Sequence, residues 1–413
     1  MQDEKHLYYY KDQVPIPPLG LVDDLFTVST CGYKTTQMNQ FINAKTAEKR
    51  LQFGTDKCIK LHVGRSCNKS LCSDLYVDSW KVEVETDPDS GTSIQSEHYA
   101  GVEKMKVKQE QTYLGDVISS DGKHTKNVQA RKNKGLGVIT QISQILDTVM
   151  FGKYYFEVAM VLRSSLLLSS LLLNSEAWVN LSDSDIRALE RTDEILLSKI
   201  LESGSNTSNT FKYLELGIYP IRFEIMKRKL IFLQYILQQD KESMIFKVFK
   251  ATCENPTKND FVMCCKKYLD RLKISLTFEE ISAMSKNRFK WLVKQKTEEA
   301  GFSYLIEEKN KQKKISNMKY VRLEMQEYLL EGNRNTKLSK LIFKARGRNL
   351  EIKTHKKWRY SDDRCVGCGE NVETEEELLA CTGFSDNSEG QVEIASYSWL
   401  FSDSVELNRY KTD

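Results

Sequence analysis

Residues 19–30 read LGLVDDLFTVST, an apolar run broken at its centre by Asp23 and Asp24. Val, Phe and Thr favour strands on both sides of the acidic pair, so the stretch predicts a β-hairpin with the two carboxylates at a tight turn. Adjacent carboxylates repel unless a cation offsets the repulsion, and hard oxygen ligands suit Mg²⁺. Successive strand residues face opposite ways, so one aspartate would ligate and the other support it. An ordinary Asp-Asp turn is the competing reading.

Outward from this hairpin, the first ~125 residues read as strand-rich. Tyr8–Tyr10 and Val14–Ile16 precede it, and a helix is predicted over Thr36–Gln52. LQFGTDKCIKLHVG (51–64) reads as turn then strand, residues 82–101 as a polar loop, and TYLGDVISSDG (112–122) as strand then turn. From Lys126 to about Gln239 the pattern is helical. In LSDSDIRALERTDEILLSKIL (181–201), Ser182 can cap with Asp185 three residues on, and Ile186, Leu189, Ile195, Leu196 and Ile200 form an apolar stripe. Ser203–Asn209 reads as a loop, and Ile221–Leu237 as a well-buried helix. Residues 278–360 predict further helices, and the tail shows little helical period. The expected class is α+β, mainly helical after residue 125.

The chain has 413 residues, enough for two or three domains at roughly 150 residues each. Its 40% hydrophobic content excludes wholesale disorder, and only 6 prolines argue against long unstructured linkers. MQDEKHLYYYKD at the start lacks the apolar core of a secretory signal. Val158–Leu173 is interrupted by Arg163 and four serines and is short of the ~20 apolar residues a membrane span needs. A buried helix is expected there, and no membrane. Ten scattered cysteines fit reduced thiols in nucleus or cytoplasm, with metal binding open.

Charge is unevenly spread. Residues 283–360 hold 21 Lys/Arg against 8 Asp/Glu, and residues 361–413 hold 3 against 13, so the net +4 hides a basic arm and an acidic tail. Such an arm suits phosphates, and Phe289, Trp291, Tyr320, Phe343, Trp358 and Tyr360 interleave it as rings on which bases can stack. Solvated or core-facing helix faces would look the same. Residues 123–134, KHTKNVQARKNK, carry five Lys/Arg and no acid. Lys126, Arg131, Lys132 and Lys134 are candidates for nucleic-acid phosphates, a solvated first helical turn being the alternative.

Cys365-x2-Cys368 has zinc-ligand spacing, with Cys381 as a candidate third ligand and His355 as another possible one. Cys58, His62, Cys67 and Cys72 look superficially similar. On a strand, however, Cys58 and His62 stand about 13 Å apart, too far for one ion.

Several of these segments together resemble the reverse transcriptases of non-LTR (LINE-like) retrotransposons. LGLVDDLFTVS resembles their xDD hairpin, LQFGTDKC the following palm motif, and TYLGDVIS the segment that contacts the primer strand. LLLNSEAW (171–178) matches a thumb segment, and FKARGRN (343–349) with CVGCGENVETEEELLAC (365–381) resembles the C-terminal cysteine knuckle. The motifs keep the family's order over about residues 14–385.

The resemblance implies a partial palm sheet over 1–125, a helical thumb over 126–277, a basic connector over 278–360, a degenerate knuckle over 361–385 and an acidic tail over 386–413. It implies RNA-directed DNA synthesis by two-metal phosphoryl transfer on an RNA template and DNA primer. Asp23 would hold Mg²⁺ beside its less essential neighbour Asp24. Lys57 would face the incoming nucleotide, unless it is a surface lysine. Tyr113, Leu114 and Gly115 would contact the primer, and Cys365, Cys368 and Cys381 would hold Zn²⁺, with Glu377 where the family places His. Only 22 residues precede Asp23, which leaves no room for the family's earlier aspartate motif. The expectation is therefore a C-terminal fragment, inactive alone. A non-catalytic nucleic-acid-binding remnant and a protein-interaction module are the alternatives, and oligomeric state stays open.

Overall fold

The computed structural model describes residues 8–10, 14–21, 24–28, 32–48, 58–61, 63, 76–86, 93–104, 106–149, 154–331, 336–350, 352–355, 362–366, 368–374 and 377. It is a mixed α+β chain that is mainly helical, with small sheets. Two compact units interleave along the sequence. The first comprises Met1–Asn127, Ala177–Leu181 and Phe232–Lys267; the second comprises Val128–Glu176, Ser182–Ile231 and Tyr268–Asp413.

Antiparallel pairs dominate the first unit. Strands β1 (Tyr8–Tyr10) and β2 (Val14–Ile16) pair, as do β3 (Leu19–Leu21) and β4 (Asp24–Phe26), with Leu21 opposite Asp24. The hairpin expected around the acidic pair therefore forms. Helix α1 spans Gly32–Glu48 and buries Met38. Strand β5 (Ile59–Leu61) pairs in parallel with β8 (Lys106–Lys108).

Between them the sequence reading needs correction. Residues 82–101 are not a loop: β6 (Tyr76–Thr86) and β7 (Ser93–Lys104) form a long antiparallel ribbon with an irregularity at Ser79/Trp80. The alternation Val82-Glu83-Val84-Glu85 has the period of two that a strand needs, and its low apolar density masked it. A second correction concerns TYLGDVIS. It holds parts of two strands, β9 (Glu110–Tyr113) and β10 (Asp116–Ser119), turned at Leu114 and Gly115. Both turn residues have positive φ, 47° and 87°, the I′ geometry that matches the twist of a two-residue hairpin.

Helix α2 (Thr125–Thr148) leaves β10 and runs from the first unit into the second. Asn127 fixes its start: its Oδ1 accepts from Val117 N–H at 3.1 Å and its Nδ2 donates to Asp116 at 2.9 Å. Next come α3 (Tyr155–Leu162), a π-helical turn (Arg163–Leu167) and α4 (Leu168–Leu171). This segment buries Phe156, Ala159, Leu167 and Leu171 while exposing Val161 and Leu166. No helix among the described residues is long and apolar enough to cross a membrane.

Helix α5 (Asp183–Ile200) carries the anticipated capping box between Ser182 and Asp185. Its inner face differs from the apolar stripe. Ile195 is exposed, whereas Glu190, Thr192 and Asp193 are buried. Ion pairs explain the exchange. Arg163 in the π turn grips Asp193 with two bonds of 2.7 Å, and Arg222 grips Glu190 at 2.6 and 2.7 Å. Beyond it lie α6 (Asn209–Glu215), α7 (Ile221–Leu237), α8 (Met244–Glu254) and α9 (Phe261–Arg271). Then follow α10 (Phe278–Ala283), α11 (Lys286–Asn310), α12 (Glu327–Glu331) and α13 (Thr336–Arg346).

The core of the second unit draws on α2, α3, α5, α6, α11 and α13, with Phe211 and Phe343 stacked at 4.8 Å. Inside it, fully buried Glu215 accepts two bonds of 3.0 Å from Arg346 and one each from the hydroxyls of Tyr320 and Tyr328. A β-bridge joins Leu216 to Met325 beside this cluster. Gly217 follows at φ +64°, where a Cβ would stand 2.1 Å from the backbone of Glu324, so only glycine permits the approach.

Burial opposes the Arg346 charge, but Glu215 outweighs it and holds the guanidinium protonated above its usual range. Arg346→Met would leave a buried carboxylate without its counterion, a loss of about 3–5 kcal/mol measurable by urea unfolding. Burial, then Glu215, raise the pKa of Tyr320 and Tyr328 well above 10. The unfolded chain releases these protons first, so the stability they carry is full below about pH 10 and lost as pH rises toward their folded values. Urea midpoints are expected to fall above about pH 10, less steeply in a Tyr320→Phe/Tyr328→Phe variant.

Candidate metal centre

The described residues bring together three potential ligands, Cys365, Cys368 and Glu377, whose ligand atoms lie within 4.8 Å of one another. The backbone builds this arrangement. Gly369 N–H donates to the Cys365 carbonyl at 2.8 Å, closing a tight turn over the two cysteines. Gly369 sits at φ +71° with open space around it, so backbone conformation rather than crowding calls for glycine. The chain then returns antiparallel: Arg364 bridges Val372, and Cys365 N–H donates to the Asn371 carbonyl. Thr374 Oγ1 accepts the Glu377 N–H at 3.0 Å. This cap aims the carboxylate back at the cysteines. Glu377 Oε1 accepts from the Cys368 thiol at 3.3 Å and from Asn371 Nδ2 at 3.2 Å.

Glu373 braces the turn, and sequence reasoning missed it. It is buried, taking N–H bonds from Lys353 at 2.8 Å and from Val366 at 3.0 Å. The Thr354 hydroxyl donates to its carbonyl at 2.7 Å. Glu373 thus fixes the loop between the two cysteines against the 3₁₀ turn Lys353–His355.

Two sulfurs and one carboxylate oxygen fit a borderline divalent ion such as Zn²⁺ and suit Mg²⁺ poorly. An ion would take the place of the proton that the Cys368 thiol shares with Glu377. Cys381 lies outside the described residues, as do Cys67, Cys72 and His62 of the cluster set aside above. The Cys58 thiol is half-buried, and burial raises its pKa.

Asp23 and Lys57 also lie outside the described residues, and of Asp24 only the backbone, at the first position of β4, is described. Tyr113 closes β9, and its ring packs on Phe26 of β4 at 5.1 Å. The two hairpins singled out in the sequence therefore touch. Leu114 is exposed at the turn tip.

The cations divide. Lys126 is exposed, 3.4 Å from Glu110, and Lys134 is exposed, but Arg131 is buried. Part of the basic arm also turns inward. Lys309 donates to the carbonyls of Ser316 and Met318, Lys340 pairs with Glu202 and covers the Tyr155 ring, and Arg346 holds Glu215. Phe289 and Phe343 are core residues. Trp358 and Tyr360 lie outside the described residues.

No family model, curated protein or solved structure matches the chain.

One Zn²⁺ or Co²⁺ per chain is expected, with thiolate–cobalt absorption that Cys368→Ser abolishes. Glu373→Ala, which removes no ligand, should weaken metal binding roughly 10- to 100-fold in chelator competition, as loss of outer-shell support does.

Proposed function

We propose that this chain is the C-terminal part of a non-LTR retrotransposon reverse transcriptase, acting as a nucleic-acid-binding body rather than as a complete polymerase. One juxtaposition carries the reading. The hairpin that resembles the metal-binding xDD motif meets the hairpin that resembles the primer-contacting segment, through the rings of Phe26 and Tyr113. A polymerase palm needs that adjacency, because the primer end must lie beside the metal-binding carboxylate. The cysteine turn adds support, since it falls where the family has its knuckle and gathers Cys365, Cys368 and Glu377.

In this reading RNA template and DNA primer are the partners, and the setting is intracellular. Asp23 is the Mg²⁺ ligand, Asp24 its neighbour, and Lys57 faces the nucleotide's phosphates. Tyr113, Leu114 and Gly115 lie against the primer, while Lys126, Lys132 and Lys134 meet phosphates. Arg131, buried on α2, is left out of this set. The knuckle takes Zn²⁺. Two-metal transfer draws on carboxylates from more than one segment, and this hairpin is the one source identified in the sequence, so synthesis is not assigned to the chain alone.

Binding to an RNA–DNA template–primer should weaken steeply as salt rises, because phosphate contacts release counterions. Primer extension with Mg²⁺ should be absent, and Asp23→Ala should leave binding intact. Extension abolished by Asp23→Ala would overturn the non-catalytic part of the proposal. Absence of salt-sensitive binding would overturn the whole.

A further inference from the structure

Helix α11 presents an unusual face near its N-terminus. Trp291 is 63% exposed there. Helical spacing places Asn287 and Arg288 one turn before it, and Lys294 and Gln295 one turn after. All four are exposed. The opposite face, with Phe289, Val293 and Thr297, is fully buried, so packing fixes the orientation. Arg288 has no carboxylate partner among the described residues, and Lys294 reaches Glu298 only at 3.8 Å.

Core packing does not explain Trp291, because its ring is in water. Solubility does not explain it either, since a large exposed ring costs solubility. The surrounding groups point to one class of partner. A ring in water offers a face for a base to stack on, with flanking cations for the phosphates on either side and side-chain amides for base edges. Duplex nucleic acid keeps its bases stacked inside, so unpaired bases are required.

We propose that the Asn287–Gln295 face of α11 binds single-stranded nucleic acid, with one base stacked on Trp291 and the adjoining phosphates on Arg288 and Lys294. This surface rests on the nucleic-acid-binding reading above and adds to it a site outside the motif-bearing hairpins.

Fluorescence anisotropy of the full chain with a labelled single-stranded RNA of about 12 nucleotides tests it. Trp291→Ala should weaken binding roughly 5- to 150-fold, the range for loss of one stacked base. Trp291→Phe should restore most of that loss. Arg288→Gln with Lys294→Gln should lower the salt slope by about 1.4, or about 0.7 per contact. A strand of the same length without bases should bind wild type and Trp291→Ala alike. If wild type binds RNA but Trp291→Ala matches it, this surface is wrong and the proposed function stands. Equal losses on the base-bearing and base-free strands would overturn the stacking. If wild type shows no salt-sensitive binding, both readings fall. An unchanged melting temperature separates these outcomes from misfolding, as expected for a ring in solvent.

Discussion

Four donors converge on one carboxylate inside the second unit, and much of its architecture depends on that convergence. Glu215 ends α6, Arg346 ends α13, and Tyr320 and Tyr328 flank the bridge that joins Leu216 to Met325. A carboxylate removed from water this completely costs several kcal/mol unless charge and hydrogen bonds answer it together. Here both oxygens are answered, and the answering groups come from three segments. The segments can shift relative to one another only by exposing the charge. Apolar contacts around it, such as the Phe211–Phe343 stack, are less demanding, because they tolerate small displacements that a bidentate pair does not.

The sequence was informative where local rules decide the outcome. The capping box at Ser182, the helix at Ile221–Leu237, the first two strands and the hairpin around the acidic pair all follow from nearest-neighbour chemistry. It was silent where a distant partner decides. Nothing local marks Asp193 and Glu190 as inward-facing and Ile195 as exposed. The choice belongs to Arg163 and Arg222, about 30 positions away. The ribbon over 76–104 failed for another reason: its strand period is carried by alternating Val and Glu, and the reading looked for apolar mass. At the candidate metal centre the cysteine spacing was plain, and Glu377 stood out only because the resemblance would place His there. Glu373 had no signature, since its work is done on backbone N–H groups that any residue supplies.

Charge composition also means something different once the fold is in hand. The basic arm reads as one uniform surface, yet its cations divide between two tasks. Lys309, Lys340 and Arg346 serve the interior, where each answers a carbonyl or a carboxylate. Arg288 and Lys294 stay outside, one turn before and one turn after a single exposed ring. The count of positive charges therefore overstates the cationic surface that faces solvent.

Glu215 and Arg346 lie 131 positions apart. At about 5–20 residues per second of synthesis, a growing chain waits roughly 7–26 s between making the acid and making its counterion. During that interval α6 cannot take its final place without burying an unanswered charge. The helices made first must then stay loosely docked until α13 leaves the ribosome, which makes completion of this core a late event in the life of each molecule. A chain that stops before residue 346 would carry that open core permanently and would be a ready target for chaperones and proteases.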